Sequence, residues 1–455
     1  MTSVESPQIH STYTREEVAD LLAKENVKFL RMNFTDILGQ NKNIEVPTSQ
    51  FDKALDGDLM FDGSSIEGFV RIEESDMLLH PDFDTFRVYP WDNGGHGKAA
   101  RIICNVRQPD GSPFDGCPRQ ALIRMMDEAR AIDTQLTAGP EAEFFLFERG
   151  EDGEMTTITN DNAGYFDAAP LDNAEIARCE ITNDLNTMGL EVEASHHEVA
   201  PGQHEIDFRY GNAVHTADNL TTFKYVVRRV ARDFGLHATF MPKPIFGING
   251  SGMHIHLSLF SSDGQTNLFH DADAEWELSQ MALHFIGGIM EHARALCAVT
   301  NPTVNSFKRL VPGYEAPTHI AWSMRNRSPM IRIPERRGLG TRMELRMPDP
   351  SCNPYLALTA ALGAGLDGIR NETAPPAPVN KNIYTMSARE RARNKIGTLP
   401  GDLSEAVTAL ERDEVIRTAL GSHIADHFIT AKRREWSEYI AQVHDWELQR
   451  YLGTY

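Results

Sequence analysis

The chain has 455 residues, 41% of them hydrophobic, and a formal net charge of −21. That length supports a large domain plus a smaller one, each with a packed core. The acidic balance excludes a nucleic-acid-binding footprint, and no apolar run approaches the roughly 18 residues that cross a bilayer. The N-terminal MTSVESPQIH has neither the basic nor the apolar region of a secretory signal, and the five cysteines form no CxxC pair. A cytoplasmic protein with reduced thiols is therefore expected. The basic residues are mostly arginine, and an acidic, lysine-poor surface suits a salty cytoplasm as well as an ordinary one.

Residues 1–13 read as a loose N-terminal tail. Thr14-Arg15-Glu16-Glu17 is a capping box ahead of a short helix to about Lys24. Val27 to Phe34 alternates like a strand, Asp36 to Gly39 supplies a turn, and Asn43 to Val46 is a second strand. Ser49 to Leu55 predicts a helix, and Arg101 to Val106 a further strand. Together these make a small α+β unit over residues 14–109. A helix is expected from Pro118 to about Ala131. Strands and helices then intermix to about residue 370, and residues 371–380 form a Pro-rich loop. From about Leu403 the spacing of Val407, Leu410, Val415 and Ile416 predicts a helical tail, so that residues 110–455 form the larger domain.

Four segments inside that domain share an unusual pattern. Residues i and i+2 of a strand face the same way. In Gly139-Pro140-Glu141-Ala142-Glu143-Phe144, two carboxylates lie side by side ahead of an apolar run. Burying them is costly unless a cation lies between them. In His196 to Phe208, Pro201-Gly202 marks a turn that brings Glu198 towards Glu205, which shares a face with Asp207. In Met253 to Leu259, His254, His256 and Ser258 form a wet face opposite four apolar residues. In Thr341 to Pro348, Arg342, Glu344 and Arg346 share one face. Four such strands point to a polar cavity lined by a curved sheet. Oxygen-rich ligation with one imidazole suits Mg²⁺ or Mn²⁺, and two such ions imply phosphate chemistry.

Between Asn301 and Arg337 lies a stretch dense in arginine, including Arg309, Arg327 and Arg332, whose forks match phosphates and carboxylates. Val311 to Pro317 is a Pro/Gly-bounded loop holding one acid, Glu315, and reads as a lid. Gly363 to Gly368 fits GxGxxG but follows a helical pattern, so tight helix packing is expected in place of a dinucleotide site.

At this point MFDGSSIEGF (60–69), GPEAEFFLF, EASHHEVAPGQHEIDF, GSGMHIHLSL, NPTVNSFKRLVPGYEAP and the run from Glu344 to Leu358 together resemble type I glutamine synthetase, from about Thr14 to the C-terminus. The resemblance implies an α+β fold: an N-terminal β-grasp-like domain and a catalytic domain whose curved antiparallel sheet forms a funnel, as in the glutamine synthetase/guanido kinase-like folds. It implies a homododecamer of two hexameric rings with active sites between subunits. It also implies ATP-dependent amidation of L-glutamate by ammonia through a γ-glutamyl phosphate, with two divalent metal ions per site, Mg²⁺ or Mn²⁺.

By the same resemblance, Glu143, Glu198 and Glu205 match the ligands of one metal, and Glu141, His254 and Glu344 those of the metal that grips the nucleotide phosphates. Asn249, Gly250, Arg309 and Arg346, with Glu315, match the glutamate-binding residues. Arg327 and Arg332 match those that hold phosphate, and Glu193 and Ser258 match nucleotide contacts. Asp62, from a neighbouring subunit, matches the acid that binds ammonium and takes its proton, and Glu315 the flap acid. Arg71 follows Phe69-Val70 as in the alpha branch, where an arginine there takes part in feedback by glutamine. The Tyr384 segment departs from the pattern adenylylated in the beta branch, so no adenylylation is expected, and a PII-like regulator fits this branch. A ligase for polyamines or other amines would be expected to lose Asp62. A non-catalytic homologue would be expected to lose metal ligands.

Overall fold

The computed structural model describes residues 13–66, 68, 76–91, 93–324 and 326–455. Thr14 caps the helix Arg15–Lys24, its side chain accepting from Glu17 N while Glu17 reaches back to the cap. Behind it, five strands form one sheet: β1 (Val27–Thr35), β2 (Asn41–Pro47), β3 (Leu59–Asp62), β4 (Asp76–Val88) and β5 (Lys98–Arg107), in the order β2-β1-β5-β4-β3. β1 and β5 run parallel and the other pairs antiparallel. Leu30, Met32, Ile102, Val106 and Leu79 form the core of this unit with Val18 and Leu22 of the helix. The turn between β1 and β2 closes through Gly39, which takes φ +85° and donates to Asp36 O at 3.0 Å. The predicted helix Ser49 to Leu55 begins as a 3-10 turn, Thr48–Gln50, before the helix Phe51–Leu55.

The larger unit is organised on β6 (Thr134–Arg149), sixteen residues long. Ala138, Ala142, Phe144 and Leu146 belong to a core that also takes Phe223 and Val227 of the helix Ala213–Asp233 and Leu356 and Ala360 of the helix Pro354–Arg370. Glu141 and Glu143 therefore face the other way. In chain order follow β7 (Met155–Thr159), β8 (Val192–His197), β9 (Gln203–Phe208), β10 (Gly211–Asn212), β11 (Leu236–Thr239) and β12 (Met253–Ser261). β12 and β9 flank β6 antiparallel, β8 extends the sheet beyond β9, and on the far side of β12 come Met343–Leu345, Ile331–Arg332 and Trp322–Ser323. The short strand Met343–Leu345 is thus paired on both edges and wholly buried, which rules out an edge strand in water.

Gly363 to Gly368 lies inside the helix Pro354–Arg370, as the apolar pattern before it predicts. A Cβ on Gly368 would come within 2.2 Å of His284 O on the helix Gln280–Glu291, so the glycines serve close helix packing. The tail folds as the helices Leu403–Arg412, Glu414–Leu420, Ser422–Ile440 and Asp445–Tyr451, with Asp413 ending the first and capping the second. Among the described residues no helix is long and apolar enough to cross a membrane.

Candidate active site

Strand registers decide which side chains meet. β12 sets His254 beside Glu141, and β9 sets Glu205 beside Glu143 and Asp207 beside Glu141. His256 of β12 lies opposite Glu344. The turn after β8 closes where Glu198 N donates to Gln203 O at 2.7 Å, which returns Glu198 towards Glu205. Two groups result. One ligand atom each from Glu143, Glu198 and Glu205 lie within 4.8 Å of one another, and so do those from Glu141, His254 and Glu344. Glu205 also groups with His196 and Asp207 in the same way.

The two triads sit in different fields. Glu344 is 1% exposed, and both Arg332 Nε and Arg346 Nη1 donate to it. Burial would raise its carboxyl, but His254 and Arg346 together hold it below the usual range. Burial would also raise Glu141, but bonds from His254 and His256 hold it low; His256 Nε2 lies 2.6 Å from Glu141 Oε1. Arg342 Nε donates to His256 Nδ1 at 3.0 Å, which leaves Nε2 to donate to Glu141. Burial and the nearby Arg346 charge keep His254 below an ordinary imidazole, neutral and able to offer a lone pair.

The all-carboxylate triad is the reverse. Burial and the charges of Glu198 and Glu205 push Glu143 well above the usual range, although Gly252 N donates to it at 2.9 Å and Gln203 Nε2 at 2.8 Å. Burial and Glu205 push Glu198 up to about 7, and burial with Glu205 and Glu141 pushes Asp207 up to about 8. Mutually repelling buried carboxylates with only oxygen donors fit a hard divalent cation. The Glu141–His254–Glu344 set fits one equally, with a neutral imidazole as third ligand.

Both triads open on a cavity of about 660 Å³, which Glu315, Arg327, Arg332 and Arg346 also line. A second cavity of about 180 Å³ shares Glu141 and Asp207 with it and is lined by Glu193, Ser258, His256, Tyr210, Arg336 and Arg342. The predicted nucleotide contacts Glu193 and Ser258 therefore stand apart from the predicted phosphate arginines, with Glu141 common to both spaces. Asn249 and Gly250 lie on the loop behind Glu143, where Gly250 O accepts from Gln203 Nε2 at 3.2 Å. Arg309 is 3% exposed and donates to the carbonyls of Met347 and Pro348 at 2.8 and 3.2 Å. Asp62 ends β3 on an exposed edge, its carboxylate accepting from Ser64 N at 2.8 Å, and it is not among the described residues lining either cavity. Arg71, with Phe69 and Val70, lies outside the described residues.

Several lining residues carried no assigned role in the sequence: Tyr165, His196, Asp207, His256, Arg342 and Tyr384. Alternation already places Asp207, His256 and Arg342 on the charged faces with the ligands, though it assigns them no role. Tyr165 lies on a loop and Tyr384 in the 3-10 turn Ile383–Thr385, and both reach the cavity only through tertiary folding.

Two family profiles match the chain: "Glutamine synthetase, beta-Grasp domain" over residues 26–109 and "Glutamine synthetase, catalytic domain" over residues 115–451. A glutamine synthetase of Thermus thermophilus is 61% identical over 446 residues, covering 97% of this chain and 100% of that protein. One of Clostridium saccharobutylicum is 54% identical over 443 residues, covering 97% and 99%. Among solved structures, an ADP complex of GmaS superposes with a TM-score of 0.86 at 35% identity, covering 96% of this chain and 99% of the other. A cryo-EM structure of Plasmodium falciparum glutamine synthetase gives 0.85 at 26% identity, covering 97% and 99%.

Proposed function

The chain belongs to the glutamine synthetase family and makes glutamine from glutamate and ammonia with ATP, and we propose that it does so at the two triads, through a γ-glutamyl phosphate. The observation that carries this reading is the pair of three-ligand groups on adjoining strands of one cavity. Glu143, Glu198 and Glu205 would hold one divalent ion, and Glu141, His254 and Glu344 the other. When bound, Mg²⁺ or Mn²⁺ supplies positive charge that steadies the phosphates and the glutamate carboxylate.

The chain's own residues do the rest. A carboxylate is a poor electrophile, so the glutamate side chain first takes the γ-phosphoryl group of ATP, which turns its oxygen into a leaving group. Arg327 and Arg332, inside the cavity, spread the charge of the group in flight. Arg346, Asn249, Gly250 and Arg309 hold the amino acid. Glu193 and Ser258, in the smaller cavity, hold the nucleotide. Ammonia attacks only after ammonium has given up a proton, which needs an anionic site. Glu315 would supply part of that site and Asp62 of a neighbouring subunit the rest; phosphate then leaves as the amide forms. The exposed place of Asp62, away from both cavities of its own chain, supports a site completed between subunits of a dodecamer.

Regulation follows the same reading: the type I alpha branch, feedback by glutamine through Arg71, a PII-like partner, no adenylylation, and a cytoplasmic location. Tyr384 bears on the fourth of these: the residue is half-buried and its hydroxyl donates to Ala316 O at 2.6 Å, a bond that transfer chemistry would have to break. Mass spectrometry is expected to find no AMP on Tyr384. The deciding assay follows phosphate and amide from glutamate, ATP and either ammonium or a panel of amines. Turnover with ammonium is expected, and turnover only with a polyamine would reject the reading.

A further inference from the structure

Two loops of the site meet on one side chain that has no role above. Lys243 is 8% exposed and forms no ion pair among the described residues; the charge acting on it is another cation, Arg309. A buried ammonium needs acceptors. It has two: it donates to Ile248 O, and its Nζ lies 3.8 Å from the centre of the Tyr314 ring. Its main chain is fixed by Asn305, whose Oδ1 accepts from Lys243 N at 2.7 Å and whose Nδ2 donates to Lys243 O at 3.0 Å.

Ile248 leads into Asn249 and Gly250. Their loop folds back on itself, with Ser251 N donating to Pro242 O at 2.8 Å; a Cβ on Gly250 would lie 2.2 Å from that oxygen. Tyr314 leads into Glu315, whose backbone takes φ +56°, the left-handed region that a side chain disfavours. Beyond it, Ala316 O is held by the Tyr384 hydroxyl. The strained residue is thus pinned on both sides, and one of the two pins is Lys243.

We propose that Lys243 is a positioning residue that couples seating of glutamate on residues 248–250 to closure of the Glu315 loop. One ammonium grips both loops, so displacing either loosens the other. This rests on the glutamine-forming reading. Its consequence is chemical. With the Glu315 loop loosened, water reaches the γ-glutamyl phosphate, adds where ammonia should, and returns glutamate and phosphate with no amide formed.

The test uses the full assembled protein and measures phosphate released per glutamine formed at saturating ammonium. Wild type is expected near one. Lys243→Met keeps the stem but removes the charge and the donor. It is expected to raise that ratio several-fold and the glutamate KM about tenfold, more than it lowers kcat. Tyr314→Leu is expected to raise the ratio too, and to add nothing in the Lys243→Met background; Tyr314→Phe, which keeps the ring face, should hold it near one. A wild-type ratio in Lys243→Met, or independent effects of the two changes, would overturn the coupling. Should Lys243→Met not assemble, equal ratios for Tyr314→Leu and Tyr314→Phe would overturn it alone. A wild type that makes no glutamine would instead reject the reading beneath.

Discussion

Glu344 is gripped by two guanidiniums beside an imidazole, whereas Glu143, Glu198 and Glu205 crowd one another beside the imidazole of His196, 3.2 Å from Glu205. This difference sets separate outcomes for change at each triad. Removing Glu344 with Glu344→Ala leaves Arg346 buried without its acid and should cost about 3 kcal/mol of stability, as well as one metal. Thermal melting with and without Mn²⁺ checks both effects. The carboxylate triad predicts a pH effect. Glu198 is raised from 4.5 to about 7, so in the metal-free protein it keeps a proton that the unfolded chain has released above pH 4.5. Its contribution to stability is therefore lost as pH rises from about 4.5 to about 7. Metal expels that proton, so the gain in melting temperature from added Mg²⁺ should widen as pH rises through this window. A gap that does not change with pH would contradict it. At this scale the sequence was most legible where alternation applied: i and i+2 spacing put Glu141 with Glu143 on one face. It said nothing of Tyr165 or Lys243, whose contacts come from distant loops.

At the scale of elements, the strands that bear charge on one face were readable because their other face is a strict apolar row. β3 and β4 were not. β4 carries Pro81 and acids among its apolar residues, and its pairing with β5 shifts register between Asp82 and Arg87, which breaks the period of two. The decoy GxGxxG shows the opposite case, where the surrounding helical period outweighed the motif. Gly368→Ala should improve helix propensity by about 1 kcal/mol, yet the added Cβ would meet only backbone atoms of His284 and Gly288, the nearest at 2.2 Å. Neither helix can yield cheaply, so a net loss of about 1–3 kcal/mol is expected in thermal melts. A stabilised variant would show that the two helices are not held so close.

At the scale of the whole molecule, the main consequence of the proposed function is a site that one chain leaves incomplete. Asp62→Ala should leave glutamate-dependent phosphate release but cripple amide formation at low ammonium. If the acid comes from a neighbour, Asp62→Ala and Glu344→Ala subunits assembled together should regain activity that neither has alone. Random mixing in a ring would restore about a quarter of the interfaces. No recovery in a proven mixed assembly would place Asp62 in its own chain's site. None of this was derivable from spacing, because a period within one chain carries no information about a second copy. The central claim is that two adjoining triads each hold one ion, and counting Mn²⁺ per chain by equilibrium titration tests it most directly. Two ions are expected for the wild type and one each for Glu198→Ala and Glu344→Ala; a single ion in the wild type, or two in either variant, would contradict the account.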